Sequence, residues 1–581
     1  MSSSTETGRR RITHRWFKSG SYTLLGHIHR PQAQARHGVV IVPPFGWEEV
    51  CSYRPLREMA EMLSAEGIAV LRYDLPATGD SSGDASDHGL VDAWISSVDA
   101  AAAELRVATG VSAISVIGIR MGALLALAAA ARNAAIGDLV LWGGAALGRT
   151  LLRELRAFRN LEVPEYSDAN IPAPTEETGL EVGGFYLTPG TVAALEALDV
   201  STLPPMPGRR VLALSRDDFA SDKRLIAALH GASMVVEELP GTGYSNLMAV
   251  PHEATLPAET ASKIADWLKG TDSAHSPHPP AALNQPAEPV RTREQIALLT
   301  QPSGVSFGIL SPADPSPSAP AGGLWLLLLN PGAGRHIGPN RLWVDLAREW
   351  TARGVPSLRL DLAGIGESDG SQNLDVEGLY DEGLVAQLES AMEYLQSHHG
   401  ARSFVAIGLC SGAFWAFHAA TRNASVRAAI LLNPRLFFWD PEVDRRREKL
   451  RNVNAVAKPD AWKRLVRGQV PAERIRSAVR DVFGRFASSE SETEPTQIPA
   501  QAMNEALGRI AGNGARLSMI FTEGEPLLNE MEQEGFLKAD ALFHCLRIAN
   551  AGHTFRPLWA QAELRLMINA ELEAVLAGLS A

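Results

Sequence analysis

Cysteine is scarce: Cys51, Cys410 and Cys545 are the only three in 581 residues. So few exclude a disulfide-stapled scaffold and fit a reducing compartment. Excess positive charge is missing as well. The formal net charge is −12, which argues against a nucleic-acid partner, since phosphates favour a basic surface. Long apolar runs are absent too. The longest, Ala123 to Ala131, is far short of the ~20 residues that cross a bilayer, so no membrane span is expected. The stretch from Met1 to Arg10 has no apolar segment behind its charges and does not read as a signal peptide. A soluble, cytoplasmic protein is expected, with neither a metal nor a cofactor. At 581 residues the chain exceeds the ~250–300 at which one core usually divides, so two domains are expected.

The two halves repeat one series of signals. A Pro-, Ser- and Ala-rich stretch over residues 270–290 reads as a linker between domains at 1–269 and 291–581. The apolar runs HGVVIV before Pro43 and LWLLLL before Asn330 read as strands buried on both faces of a parallel sheet. Amphipathic helical stretches follow, Tyr53 to Ala65 and Arg341 to Ala352, then the strands ending at Asp74 and Asp361. These aspartates open matching ten-residue stretches, DLPATGDSSG and DLAGIGESDG. The agreement marks an internal duplication, and strand–helix alternation predicts an α/β fold with a doubly wound, mostly parallel sheet in each half.

Each half then runs from an apolar strand through a tight glycine-flanked turn into a small-residue helix. In the second half the turn is Gly408-Leu-Cys410-Ser-Gly412, the spacing of a nucleophile elbow. Flanking glycines let the backbone bend sharply, and a helix N-terminus lowers a thiol's pKa. Cys410 is the candidate nucleophile. A buried core cysteine, or attack by Ser411 instead, are the alternatives. In the first half the turn is Gly118-Ile-Arg120-Met-Gly122, and arginine cannot attack a carbonyl. Arg120 at a helix start suggests an anion site, or a structural plug paired with an acid such as Asp218.

His553, in Asn550-Ala-Gly-His-Thr, stands last in chain order after a strand, where a general base belongs. Tyr244 holds the matching place in the first half and is a poor base at neutral pH. The acid is expected in the loop after the strand Leu517 to Phe521, at Glu525 with Glu523 as the other candidate. Oxyanion donors are expected from the N–H of Ser411 and from Gly332 or Ala333 in the loop after an early strand.

With elbow, acid loop and histidine in order, the second half resembles the α/β-hydrolase superfamily over nearly all its length. More narrowly, it resembles hydrolases that accompany bacterial exosortase and exopolysaccharide systems. The stretches that carry this are Gly408 to Gly412, Leu432-Asn-Pro434, Trp462 to Gly468 and Gly552-His-Thr-Phe555. The first half is similar to a companion hydrolase type through Val42-Pro-Pro-Phe45 and Asp74 to Gly83, and departs from it at Arg120 and Tyr244. The resemblance implies two tandem α/β-hydrolase domains, each with a cap insertion, and acyl chemistry on an ester or thioester.

A long insertion, at about 435–515, is expected to cap the second pocket. Within it, Asp444 to Arg480 carries twelve Lys or Arg against four acids. It reads either as a solvated helical surface or as an electropositive lid for an anionic carrier, such as coenzyme A or an acyl-carrier protein. The expected activity is thioesterase- or esterase-type hydrolysis through an acyl-cysteine. Transfer to an amine or alcohol is the alternative, and a non-catalytic scaffold the alternative of another class.

Overall fold

Side chains that are apolar on both faces of a strand demand cover on both sides, and both HGVVIV and LWLLLL are buried along their whole length. In the computed structural model they sit centrally in two sheets of the same design. The structure describes residues 12–35, 37–162, 179–217, 219–270, 290, 292–313, 323–370, 376–440, 498–538 and 542–580. The expected cap therefore lies largely outside the described residues, as do its basic stretch, most of the linker and Asp218.

The first half contains β1 (Ile12–Ser19), β2 (Tyr22–His29), β3 (His37–Val42), β4 (Ala69–Tyr73), β5 (Ala113–Ile119), β6 (Leu139–Trp142), a small hairpin of β7 (Leu180–Val182) and β8 (Phe185–Leu187), then β9 (Arg210–Leu214) and β10 (Val235–Leu239). The second contains β11 (Gln295–Gln301), β12 (Gly304–Ser311), β13 (Leu324–Leu329), β14 (Ser357–Leu360), β15 (Ser403–Leu409), β16 (Val426–Leu432), β17 (Arg516–Thr522) and β18 (His544–Ile548).

The sheet orders are β1-β2-β4-β3-β5-β6-β9-β10 and β11-β12-β14-β13-β15-β16-β17-β18. Once the hairpin is set aside, the two orders are the same. Only the first two strands of each sheet run antiparallel to their neighbours. The fold is thus two tandem α/β domains with mostly parallel eight-stranded sheets. Helices cover both faces, so each sheet is sandwiched between two apolar layers.

The halves meet through their duplicated loops, and they meet reciprocally. Arg72 on β4 reaches both oxygens of Glu367, at 2.8 and 2.9 Å, in the second-half loop. Arg359, at the matching place on β14, reaches Asp80 in the first-half loop. Asp80 and Glu367 are the same position of the repeat, and all four side chains are buried. His336 lies between Asp80 and Asp361, at 2.6 and 2.8 Å, and Arg335 pairs with Asp74 and Glu49. Leu25, Phe307 and Ile309 form a small apolar cluster beside this network.

Candidate active site

The elbow is built by close packing. Strand β15 and helix Ser411–Arg422 approach so tightly that a Cβ on Gly408 would overlap the Gly412 carbonyl, and one on Gly412 would lie 2.5 Å from Leu329 O. No other residue type fits at either place. Between them Cys410 adopts φ 57 and ψ −113, a backbone that side chains with a Cβ rarely take. Its N–H donates to Leu432 O at 3.0 Å, which ties the turn to the end of the neighbouring strand. The thiol stands at the start of the helix and is half-buried.

The His553 side chain hydrogen-bonds the Cys410 thiol. Its Nδ1 lies 2.9 Å from Glu525 Oε1, which leaves Nε2 as the nitrogen toward sulfur. Burial pushes the Cys410 thiol up, but the hydrogen bond and charge of His553, the charge of Arg435 and the N–H of Ser411 outweigh it and hold the thiol below its ordinary value. Burial lowers the His553 pKa in turn, while the bonds to Cys410 and Glu525 carry it up to about 10. Both shifts act in the direction of a thiolate beside an imidazolium. Glu523 is exposed and its N–H donates to Ile548 O, so of the two candidate acids it is Glu525 that reaches the histidine.

Asn433, buried at φ 38 just past β16, links the three loops of the site. Its Oδ1 accepts from Thr522 N at 2.7 Å, and its Nδ2 donates to Thr522 Oγ1 at 3.1 Å and to His553 O at 2.8 Å. The Thr522 hydroxyl donates to Glu525 Oε1 at 3.2 Å. Sequence reasoning assigned no role to Asn433 or Arg435. The signal available was an asparagine placed directly after a buried parallel strand, at the end where this sheet type puts its sites.

Among the oxyanion candidates, Gly332 N–H donates to the buried Ser411 hydroxyl at 2.8 Å. The same bond fixes the Ser411 hydroxyl as a tether for the loop. The N–H of Ser411 faces the sulfur.

In the first half Arg120 takes φ 55 and ψ −114, the backbone of the second elbow. Its Nε donates to Glu48 at 2.9 Å, Nη1 to Gly143 O at 3.1 Å and Nη2 to Glu154, which Arg216 also pairs. An anion arriving here would face two carboxylates, an arrangement that favours the internal plug among the two alternatives. Tyr244 lies buried beside Trp142, and burial, followed by the charge of Glu48, pushes its phenol well above its ordinary value. Asp217, on the acid loop, caps the backbone N–H groups of Gly243 and Ser245.

Among the described residues one cluster has metal-type donors, His14, His27 and Glu367, all within 4.8 Å. Arg72 occupies both Glu367 oxygens, and its charge opposes a cation there. No described helix is long and apolar enough to cross a membrane.

Residues 326–565 match the model of the Alpha/beta hydrolase family, so the matched segment spans β13 to the closing helix and contains Cys410, Glu525 and His553. No curated protein matches the chain. Among solved structures, the chain is similar to XC6422 from Xanthomonas campestris, described as an a/b serine hydrolase without lid, at 14% identity and a TM-score of 0.30, covering 49% of this chain and 96% of that one. It is also similar to Est1E from Butyrivibrio proteoclasticus, at 15% identity and a TM-score of 0.32, covering 45% and 99%. A third is GrgF, an alpha/beta hydrolase from Penicillium sp. sh18, at 17% identity and a TM-score of 0.32, covering 50% and 99%.

Proposed function

We propose that the second half hydrolyses an acyl ester or thioester through an acyl-cysteine at Cys410, with His553 as acid and base and Glu525 as its orienting partner. The observation that carries this reading is the chain of side chains Cys410–His553–Glu525 assembled at a strained elbow on a helix N-terminus. The family match over the same residues supports hydrolase chemistry. The narrower resemblance to exosortase-associated hydrolases rests on the Gly408–Gly412 and Gly552–Phe555 stretches and belongs to the same proposal.

The Cys410 thiolate adds to the carbonyl carbon, forming the C–S bond, and the displaced electron pair settles on oxygen. The N–H of Ser411, with that of Gly332 or Ala333, receives that oxyanion. Its collapse breaks the bond to the leaving alcohol or thiol, which takes its proton from the His553 imidazolium. Neutral His553 then removes a proton from water as it attacks the acyl-cysteine. The second collapse releases the acid, and the thiolate–imidazolium pair is restored. The first half contributes no nucleophile, because Arg120 and Tyr244 stand at the nucleophile and base positions.

The test is Cys410→Ala in the full chain, assayed on a panel of aryl esters and acyl thioesters, with intact-mass detection of the acyl adduct. Loss of both turnover and adduct is expected. Full activity with Ser411 intact would refute the assignment.

A further inference from the structure

The loop that carries His553 is held from two sides, and one of them belongs to the other half of the chain. On the inner side Asn433 binds the His553 carbonyl, and Phe555, at φ 51, is buried in the second-half core. On the outer side stands the β7–β8 hairpin of the first half. Glu181 Oε1 accepts the N–H of Leu558 at 2.6 Å, and Leu558 opens the closing helix Leu558–Ser580. The first N–H groups of a helix have no partner within it, and a carboxylate there also meets the positive end of the helix dipole. Glu181 thus caps, from the other half, the helix that directly follows the histidine loop.

The turn of the hairpin adds a second grip. Gln561 donates to Gly184 O at 3.1 Å and to Arg556 O at 2.7 Å, joining the turn, the helix and the segment beyond His553. Gly184, at φ +81, presses so close that a Cβ would lie 2.5 Å from Arg556 O and strike the Asn340 amide. The Arg556 guanidinium lies over the Trp47 ring of the first half, 4.1 Å from its centroid. These contacts all fall between Arg556 and Gln561, just past His553.

We infer that the β7–β8 hairpin of the first half is a positioning element for the second-half site, with Glu181 and Gly184 fixing the loop that aims His553 at Cys410. The inference rests on the reading of Cys410 and His553 given above. A hydrogen bond from imidazole to sulfur is lost over a displacement of about an ångström, a shift that costs up to ~10²-fold in rate. The half without a nucleophile is thereby retained as part of the machinery of the other.

The experiment uses the full chain with Glu181→Ala, Glu181→Gln and Gly184→Ala, each measured below the onset of its own melting. Glu181→Ala removes the acceptor and should lower kcat about tenfold or more with KM little changed. Glu181→Gln keeps an acceptor oxygen and should recover most of that loss. Gly184→Ala forces the turn off Arg556 and should behave like Glu181→Ala.

The deciding readout is the pH profile of Cys410 alkylation by iodoacetamide. Both alanine variants should alkylate more slowly than wild type at pH 6, where the thiolate depends on His553, and should match it near pH 10, where the thiol ionises unaided. Wild-type profiles in both variants, with His553→Ala shifting the profile, would overturn the positioning role and leave the site intact. A wild-type Cys410 that alkylates like a free thiol and ignores His553→Ala would overturn the reading of the site itself.

Discussion

Arg120 and Cys410 hold nearly the same backbone angles, φ 55 with ψ −114 and φ 57 with ψ −113, so the elbow's strain persists in the half that has no thiol to present. Such a conformation costs of order 1–3 kcal/mol and survives only where its surroundings enforce it. In the first half the enforcement comes from Glu48, Gly143 and Glu154 around the guanidinium. Arg120→Ala should leave turnover of a small ester unchanged and lower the melting temperature, which a steady-state assay and a thermal melt check together.

At the same scale, the raised His553 and lowered Cys410 pKa values set the pH window. Activity should fall at low pH as the thiolate gains a proton, and at high pH as His553 loses its own near 10. Of the two acids, Glu525→Gln should slow turnover strongly and Glu523→Gln hardly at all; the opposite ranking would reassign the acid.

Among the elements, the ends of β16, β17 and β18 deliver the site, and Asn433 is the tie among their loops. Asn433→Ala strips partners from the buried Thr522 N–H and from the His553 carbonyl. An unfolding penalty of ~1–3 kcal/mol is expected, the cost of leaving buried polar groups unpaired. A denaturant titration reads that penalty, and kcat should fall in parallel. The elbow, the histidine and the acid loop were legible in the sequence because each is a local pattern of a few residues after an apolar strand. Asn433 was not, since its partners lie in loops distant along the chain. Glu181 could not have been found either, because its hydrogen bond to Leu558 spans 377 residues. The Gly332–Ser411 hydrogen bond was not legible either, because a glycine-rich loop does not reveal which of its N–H groups a neighbouring hydroxyl holds.

Over the whole molecule, the duplication was legible and its purpose at the interface was not. Arg72 and Arg359 look like isolated charges in otherwise apolar strands, and their recurrence at one position of both repeats was the unused signal. His336 makes this interface sensitive to pH. Burial lowers its pKa, but Asp361 and Asp80 raise it to about 9, above its ordinary 6.5. Its contribution to stability is therefore complete below about 6.5 and is lost as pH rises through 9. The melting temperature should decline across that interval, and His336→Gln should flatten the decline. Glu367→Ala leaves Arg72 buried without its counter-charge and should cost ~3–5 kcal/mol in a denaturant titration.

The exchange of Arg72 with Glu367 and of Arg359 with Asp80 is completed within one chain. An interface in which each side gives the other what it receives is self-complementary, as in a two-fold dimer, and such interfaces close. When both trades are complete, each of these buried arginines and acids has its partner inside the same molecule. Because one chain supplies both sides, the pairing has no dilution limit: it forms as readily in a single molecule as in a concentrated solution.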